Sequence, residues 1–235
     1  MGHGLVQTIN RLFRFPLQRV HAGDVVEDSA VFRVDSQRAP RLRFLSKNVE
    51  QTHLAIAIRA YSRHDPRRYP LKLMSVVLGE NMSSRLFQTI RERHGLAYSI
   101  QSSTSYLSDT GAFVVTAGLD ARRLQRVLAL IMSELKKISR QPPAVAELRR
   151  AKDYAIGQMR LGLESSSNQM MWVGEHLLAY GFIHSPDDIE REIAAVTPES
   201  IQLAAADVFR NHRINAAIIT PSKDEKAVAE LLTFE

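Results

Sequence analysis

The chain reads as an α+β protein: a mixed, mostly antiparallel sheet covered on one face by helices. Three observations predict this. Residues 52–61 alternate with period two, with Leu54, Ile56 and Ile58 on one face and His53, Ala55, Ala57 and Arg59 on the other, which reads as a strand. Residues 97–106 and 112–117 read as two more strands around Ser108-Asp109-Thr110-Gly111, a hairpin turn. Most of the remaining chain carries apolar residues at helical spacing, most clearly Leu124, Val127, Leu128, Ile131, Leu135 and Ile138.

In chain order, Leu5, Ile9, Leu12 and Phe13 are spaced for a short amphipathic helix that stops near Pro16. Residues 19–38 have no clean period and read as a linker. Residues 1–38 are thus expected to be an N-terminal helix and linker belonging to the same domain as residues 39–235. Residues 36–40 form a loop, and Leu42, Arg43, Phe44 and Leu45 a short strand. His53 stands opposite the apolar face of the next strand, as a rim or solvent-side histidine rather than a metal ligand. Pro66 opens a helix through Leu71, Leu73, Met74, Val76, Val77 and Leu78, whose apolar residues crowd several faces and predict deep burial. After the hairpin and the helix at 124–138, Pro142-Pro143 separates a long polar helix at 144–163. Ser165-Ser166-Ser167 breaks that helix, and others are expected at 169–178, 186–195 and 198–209, the last with Thr197 as N-cap before Pro198. Residues 213–220 alternate as a final strand, and a short helix closes the chain.

Composition narrows the function classes. The chain has 235 residues, enough for one large or two small domains with a substantial core. It has no cysteine, which excludes a disulfide framework and thiolate metal sites. No apolar run is long enough for a membrane span, and the N-terminus lacks a charged-then-apolar leader. The expectation is a soluble protein of a bacterial-type cytoplasm or periplasm. The net charge of +6 comes from residues 1–70, which hold 12 Arg plus Lys against 6 Asp plus Glu. Nucleic-acid binding would interleave aromatics with a basic stripe. Here Phe13, Phe15, Phe32 and Phe44 are placed as core anchors, so no nucleic-acid partner is expected, and a basic binding module ranks third among the readings.

The most informative stretch is residues 78–99. A polar loop, Gly79, Glu80, Asn81, Met82 and Ser83, follows the buried helix, with Ser83 as the expected N-cap of the next one. Leu86, Phe87, Ile90 and His94 fall on roughly one face of that helix. Gly95 stands where a helix end wants a left-handed residue. Leu96, Tyr98 and Ile100 then alternate with Ala97, Ser99 and Gln101. Arg91 on the last helical turn and Tyr98 just inside the strand are thereby folded side by side. They are two donors able to converge on one oxygen.

The run SSRLFQTIRERHGLAYSI resembles the second domain of the pitrilysin family of zinc peptidases, which includes insulin-degrading enzyme and the mitochondrial processing peptidase. The resemblance implies that family's metallopeptidase-like α/β roll, reached by residues 53–220 in element order. It implies a domain without zinc, paired with an H-x-x-E-H domain in the same full-length chain or in another subunit. It makes Arg91 and Tyr98 the catalytic pair that reaches the substrate carbonyl. It makes Gly79, Glu80, Asn81, Met82 and Ser83 the substrate-binding loop, although the family usually has several glycines where Glu80 and Asn81 stand here. The implied substrate is an unfolded peptide, a homodimer is a possible partner state, and the chain is expected to be a fragment of a longer protein.

The chemistry of the residues agrees with a division of labour. Zinc hydrolysis needs converging ligands and a general base. The nearest approach to H-x-x-E-H is Trp172-Val173-Gly174-Glu175-His176, and an indole cannot ligate a metal. No metal and no cofactor are therefore expected in this chain, and the chain alone is expected to be inactive. There is no G-x-S-x-G, P-loop or dinucleotide fingerprint either. What remains is electrophile stabilisation: Arg91 offers an always-charged fork and Tyr98 a neutral hydroxyl. The alternative is a structural relative, as in the family's respiratory-complex core subunits, where Arg91 caps helix carbonyls and Tyr98 is a strand aromatic.

Overall fold

The computed structural model describes residues 37–234. The expected helix at 5–16, and the linker through Ser36, lie outside the described residues. Five strands, β1 (Arg41–Ser46), β2 (Thr52–Ala60), β3 (Ala97–Tyr106), β4 (Gly111–Leu119) and β5 (Ile214–Thr220), form one sheet in the order β1-β5-β2-β4-β3. β1 and β5 are parallel, and the other pairs are antiparallel. The sheet is mixed and mostly antiparallel, as the alternation predicts.

The apolar face of β2 organises the core. Leu54 lies between Ala117 of β4 and Ile218 of β5, Ile56 between Val115 and Ala216, and Ile58 between Phe113 and Ile214. These three rows are buried almost completely. Burying one such Leu or Ile contributes roughly 2 kcal/mol, so a one-residue slip of β2 would forfeit every row at once. His53 and Arg59 on the other face are half-buried, consistent with a rim position for the histidine.

Helices α1 (Arg68–Gly79), α2 (Leu124–Arg140), α3 (Val145–Gly162), α4 (Ser166–Tyr180), α5 (Pro186–Ala195), α6 (Pro198–Val208) and α7 (Glu225–Leu231) complete the described elements, with a π-helix at Phe87–Arg93 and short 3-10 turns at Ala121–Arg123 and Asn211–Arg213. In α1, Leu71 and every residue from Leu73 to Gly79 are buried. α2 buries its expected stripe at Leu124, Val127, Leu128, Ile131, Leu135 and Ile138. Thr197 caps α6 as expected, in a reciprocal box with Ser200. Two boundaries move. α1 begins two residues after Pro66, because Asp65 turns the chain first by accepting from the Arg67 N–H at 2.9 Å. α4 starts inside the serine run and reaches Tyr180, where Gly181 takes a left-handed φ of 74°.

Candidate active site

The site is built from the end of α1, the loop after it, and the turn into β3. α1 is pinned to β3 where it ends. The Ser102 hydroxyl donates to the Ser75 carbonyl at 2.8 Å, and both serines are buried. A Cβ on Gly79 would stand 2.5 Å from the Ser102 backbone nitrogen, so only glycine lets the helix come this close.

The loop that follows is held by its own polar groups. The Glu80 carboxylate turns inward to Lys72 at 2.6 Å, and its backbone carbonyl accepts from the Tyr154 hydroxyl at 3.2 Å. Asn81 Oδ1 accepts the Ser83 N–H at 2.9 Å, an Asx turn, and the Asn81 carbonyl accepts the Ser84 N–H at 3.1 Å. Of the five expected loop residues, Met82 and Ser83 are exposed, while Glu80 and Asn81 serve the loop's own structure. Ser83 is not the N-cap. The Ser84 carbonyl accepts the first helical bond, from the Gln88 N–H at 2.9 Å, because the Asx turn occupies Ser83. A cavity of about 580 Å³ between α1, α3 and α4 opens on the Glu80 side, lined by Lys72, Glu80, Tyr154, Gln158, Met171 and Trp172. A second, of about 320 Å³, opens on the Asn81 side against Glu147 and Arg150 of α3.

Phe87–Arg93 is a π-helix, wider than the α-helix its spacing suggests. Leu86 and Ile90 are fully buried, and Arg85 pairs through two bonds, at 2.7 and 2.6 Å, with Glu147 of α3. The apolar stripe ends at Ile90. His94 leaves it: the ring is exposed and its Nδ1 sits 2.6 Å from the Thr89 carbonyl. Gly95 has φ of 57°, as expected, and its N–H donates to the Arg91 carbonyl while the Leu96 N–H reaches the Ile90 carbonyl. Both bonds span one residue more than in the usual Schellman closure, as suits a π turn.

β3 opens with a bulge. Ala97 pairs with Leu119 and Ser99 with the adjacent Gly118, leaving Tyr98 as the extra residue. The expected alternation of Leu96, Tyr98 and Ile100 is thereby corrected: Ala97 and Ile100 are buried, whereas Tyr98 is 63% exposed. Arg91 is exposed too, with its guanidinium 5.1 Å from the Phe87 ring centroid. Arg91 and Tyr98 thus stand in solvent on either side of the Gly95 bend. They make no hydrogen bond to one another.

Tyr98's other neighbours are not legible from the residue pattern around it. Tyr98 lies within electrostatic range of Arg122, which is held by the Asp120 carboxylate at 2.8 and 3.1 Å. That pairing, and the Arg122 N–H, hold the Asp120 carboxyl down at about 2. Arg123 donates to the Gly95 carbonyl and braces the bend from the same turn. Only a three-residue Asp-x-Arg spacing marks this support in sequence, and that spacing is common in turns.

Among the described residues, no group of three or more His, Cys, Asp or Glu side chains is placed to hold a metal ion. The Trp172-x-x-Glu175-His176 segment packs instead: the Trp172 and His176 rings stack at 4.4 Å, and the indole N–H donates to the His184 carbonyl at 3.1 Å. An indole in the place of a ligand does not fit zinc at this segment. No described helix is long and apolar enough to cross a membrane.

Residues 20–154 match the family model described as the peptidase M16 inactive domain. The chain belongs to that family. An uncharacterized zinc protease of Streptomyces coelicolor is 35% identical over 189 residues, 80% of this chain and 41% of that protein. This M16 chain therefore spans about two fifths of its relative's length. The M16 inactive domain from Pseudomonas fluorescens superposes with a TM-score of 0.69 at 22% identity, covering 78% of this chain and 44% of that one. A protease from Helicobacter pylori gives 0.73 at 19%, over 94% and 53%. At such identities the likeness to the two structures is one of fold, and it agrees with the pitrilysin-family resemblance of residues 83–100.

Proposed function

We propose that this M16 chain is the non-zinc domain of a pitrilysin-like zinc metalloendopeptidase, in which Arg91 and Tyr98 bind the substrate and stabilise the tetrahedral intermediate. The metal and the general base belong to a separate H-x-x-E-H domain, upstream in the same chain or on a partner subunit. The substrate is an unfolded peptide. One observation supports the reading: a π-helical turn and a β-bulge, two uncommon irregularities, flank Gly95 and leave a guanidinium and a phenol exposed there.

The chemistry follows from what those groups can do. As a peptide bond is attacked, negative charge gathers on the carbonyl oxygen, and a donor already aimed there needs no reorganisation. Arg91 brings fixed charge and Tyr98 a hydroxyl that leaves the arginine's field intact. Neither can remove a proton from water at neutral pH.

The test is reconstitution with the zinc-bearing domain and a fluorogenic peptide. Removing one such donor costs about 3 kcal/mol of transition-state stabilisation, so Arg91→Ala and Tyr98→Phe should each lower kcat by two to three orders of magnitude. The circular dichroism and the melting temperature should stay as they are. Unchanged turnover in both variants refutes the assignment and leaves a structural role.

A further inference from the structure

Helix α4 is the least accounted for element of the described chain. It buries none of its residues. Tyr180 ties it to the body, its hydroxyl accepting from the Arg68 guanidinium and its ring meeting the edge of His64, while the Trp172 indole donates to the His184 carbonyl of the turn that follows. Met170, Val173 and Leu177 recur at helical spacing on the side away from the cavity lined by Met171, Trp172 and Glu175. Leu178 is 91% exposed, and Phe182 and Ile183, just past Gly181, are exposed as well. Elsewhere the exposed large apolar residues, such as Leu45, Leu107 and Leu203, stand singly. So many exposed apolar side chains within one helix and its following turn mark an interaction site rather than ordinary surface. Glu175 is the only Asp, Glu, Lys or Arg in the helix, and loss of charge is what distinguishes the centre of an interface.

Gly174 adds an independent sign. It lies four residues from Met170 and from Leu178, in mid-helix, where glycine is disfavoured relative to alanine. A Cβ there would meet nothing within 4 Å, so no described neighbour requires the glycine. A backbone from outside that approaches the helix closely does require it.

We infer that α4 and the following turn are the docking surface for the zinc-bearing domain. The inference rests on the function proposed above and names the interface that the reading leaves open. The relatives indicate how much chain is available to cover the face: the matched region is 41% of the Streptomyces coelicolor protein and 44% of a Mycobacterium tuberculosis one. More than half of each such polypeptide lies outside it. An uncharged apolar face suits a permanent partner of that size, because transient interfaces are more polar.

The experiment compares hydrogen exchange of this chain alone and mixed with its cognate H-x-x-E-H polypeptide, with association followed by sedimentation velocity. Exchange of the α4 amides should slow at least tenfold in the complex. Leu178→Glu and Gly174→Leu should each weaken association at least tenfold. The melting temperature of the isolated chain should be unaffected by Leu178→Glu and not lowered by Gly174→Leu. Unchanged α4 exchange in a complex that forms and cleaves peptide overturns the docking surface and leaves the catalytic reading standing. Concentration-dependent self-association that Leu178→Glu abolishes, with the hetero-complex intact, assigns the face to a second copy of this chain and also overturns it. A complex that protects α4 but is insensitive to Arg91→Ala and Tyr98→Phe refutes the catalytic reading alone. Failure of the wild-type polypeptides to associate overturns both.

Discussion

Gly79 and Gly95 hold the candidate site in place for different reasons. At Gly79 the obstacle is contact: a Cβ would stand 2.5 Å from the Ser102 nitrogen and 2.8 Å from its hydroxyl, and backbone cannot swing aside as a side-chain tip can. Gly79→Ala must push α1 off β3 and should cost about 1–3 kcal/mol, the usual range for overpacking. At Gly95 there is open space but a φ of 57°, so Gly95→Ala should cost about 1–2 kcal/mol from backbone strain alone. Urea denaturation measures both. The two variants should then separate in a hydrogen-exchange map, with Gly79→Ala loosening the α1–β3 contact and Gly95→Ala loosening only the turn. Gly95 was legible from sequence, since a glycine after an amphipathic run is a known helix stop. The Gly79 contact was not, because nothing in the sequence says that Ser102 will lie against the helix end.

Arg85 belongs to the family-like S-R-L-F run, and what it touches is structural. Its guanidinium grips Glu147 of α3 through two bonds, and both side chains are about four-fifths covered. The pairing holds the guanidinium above its ordinary pKa, so it is charged at any working pH. Removing one partner strands the other in a poorly solvated place. Arg85→Ala or Glu147→Ala should therefore each cost about 2–4 kcal/mol, and the double variant less than the sum, a coupling that a double-mutant cycle measures. If the pair were an ordinary surface bridge, each variant would cost under about 1 kcal/mol. At this scale the sequence was readable wherever one periodicity held, as for α2, α5 and the hairpin. It misled at the site because two irregularities sit there together. The π turn displaces His94 from the stripe that Leu86 and Ile90 begin, and the bulge puts Tyr98 out of phase with Ile100. The bulge is set by pairing with Leu119 and Gly118, far along the chain, which periodicity within a window cannot see.

For the whole described molecule, the order of the sheet matters more than the number of its strands. The final strand, β5, lies between β1 and β2, the two earliest described ones. The sequence announced that strand but not its place, since alternation at 213–220 fits an edge as well as a centre. Its burial is the clue that was available: a run as apolar as Ile214, Ala216, Ala217, Ile218 and Ile219 suits an interior strand. The consequence is a sheet that cannot close until the C-terminal residues arrive. β1 pairs with no described strand except β5, and the Thr52 and Thr220 hydroxyls, both fully buried, join at 2.7 Å across the neighbouring β2–β5 seam. A chain ending at Arg213 would leave β1 without a neighbour. It would uncover one edge of β2 and strip Leu54, Ile56 and Ile58 of the partners that complete their rows. The expected outcome is loss of cooperative unfolding, with dye-binding apolar surface in its place, rather than a folded protein of lower Tm. If that truncated chain instead unfolds in one sharp transition, the remaining strands form a self-sufficient unit, and β5 is an addition to the core instead of its closure.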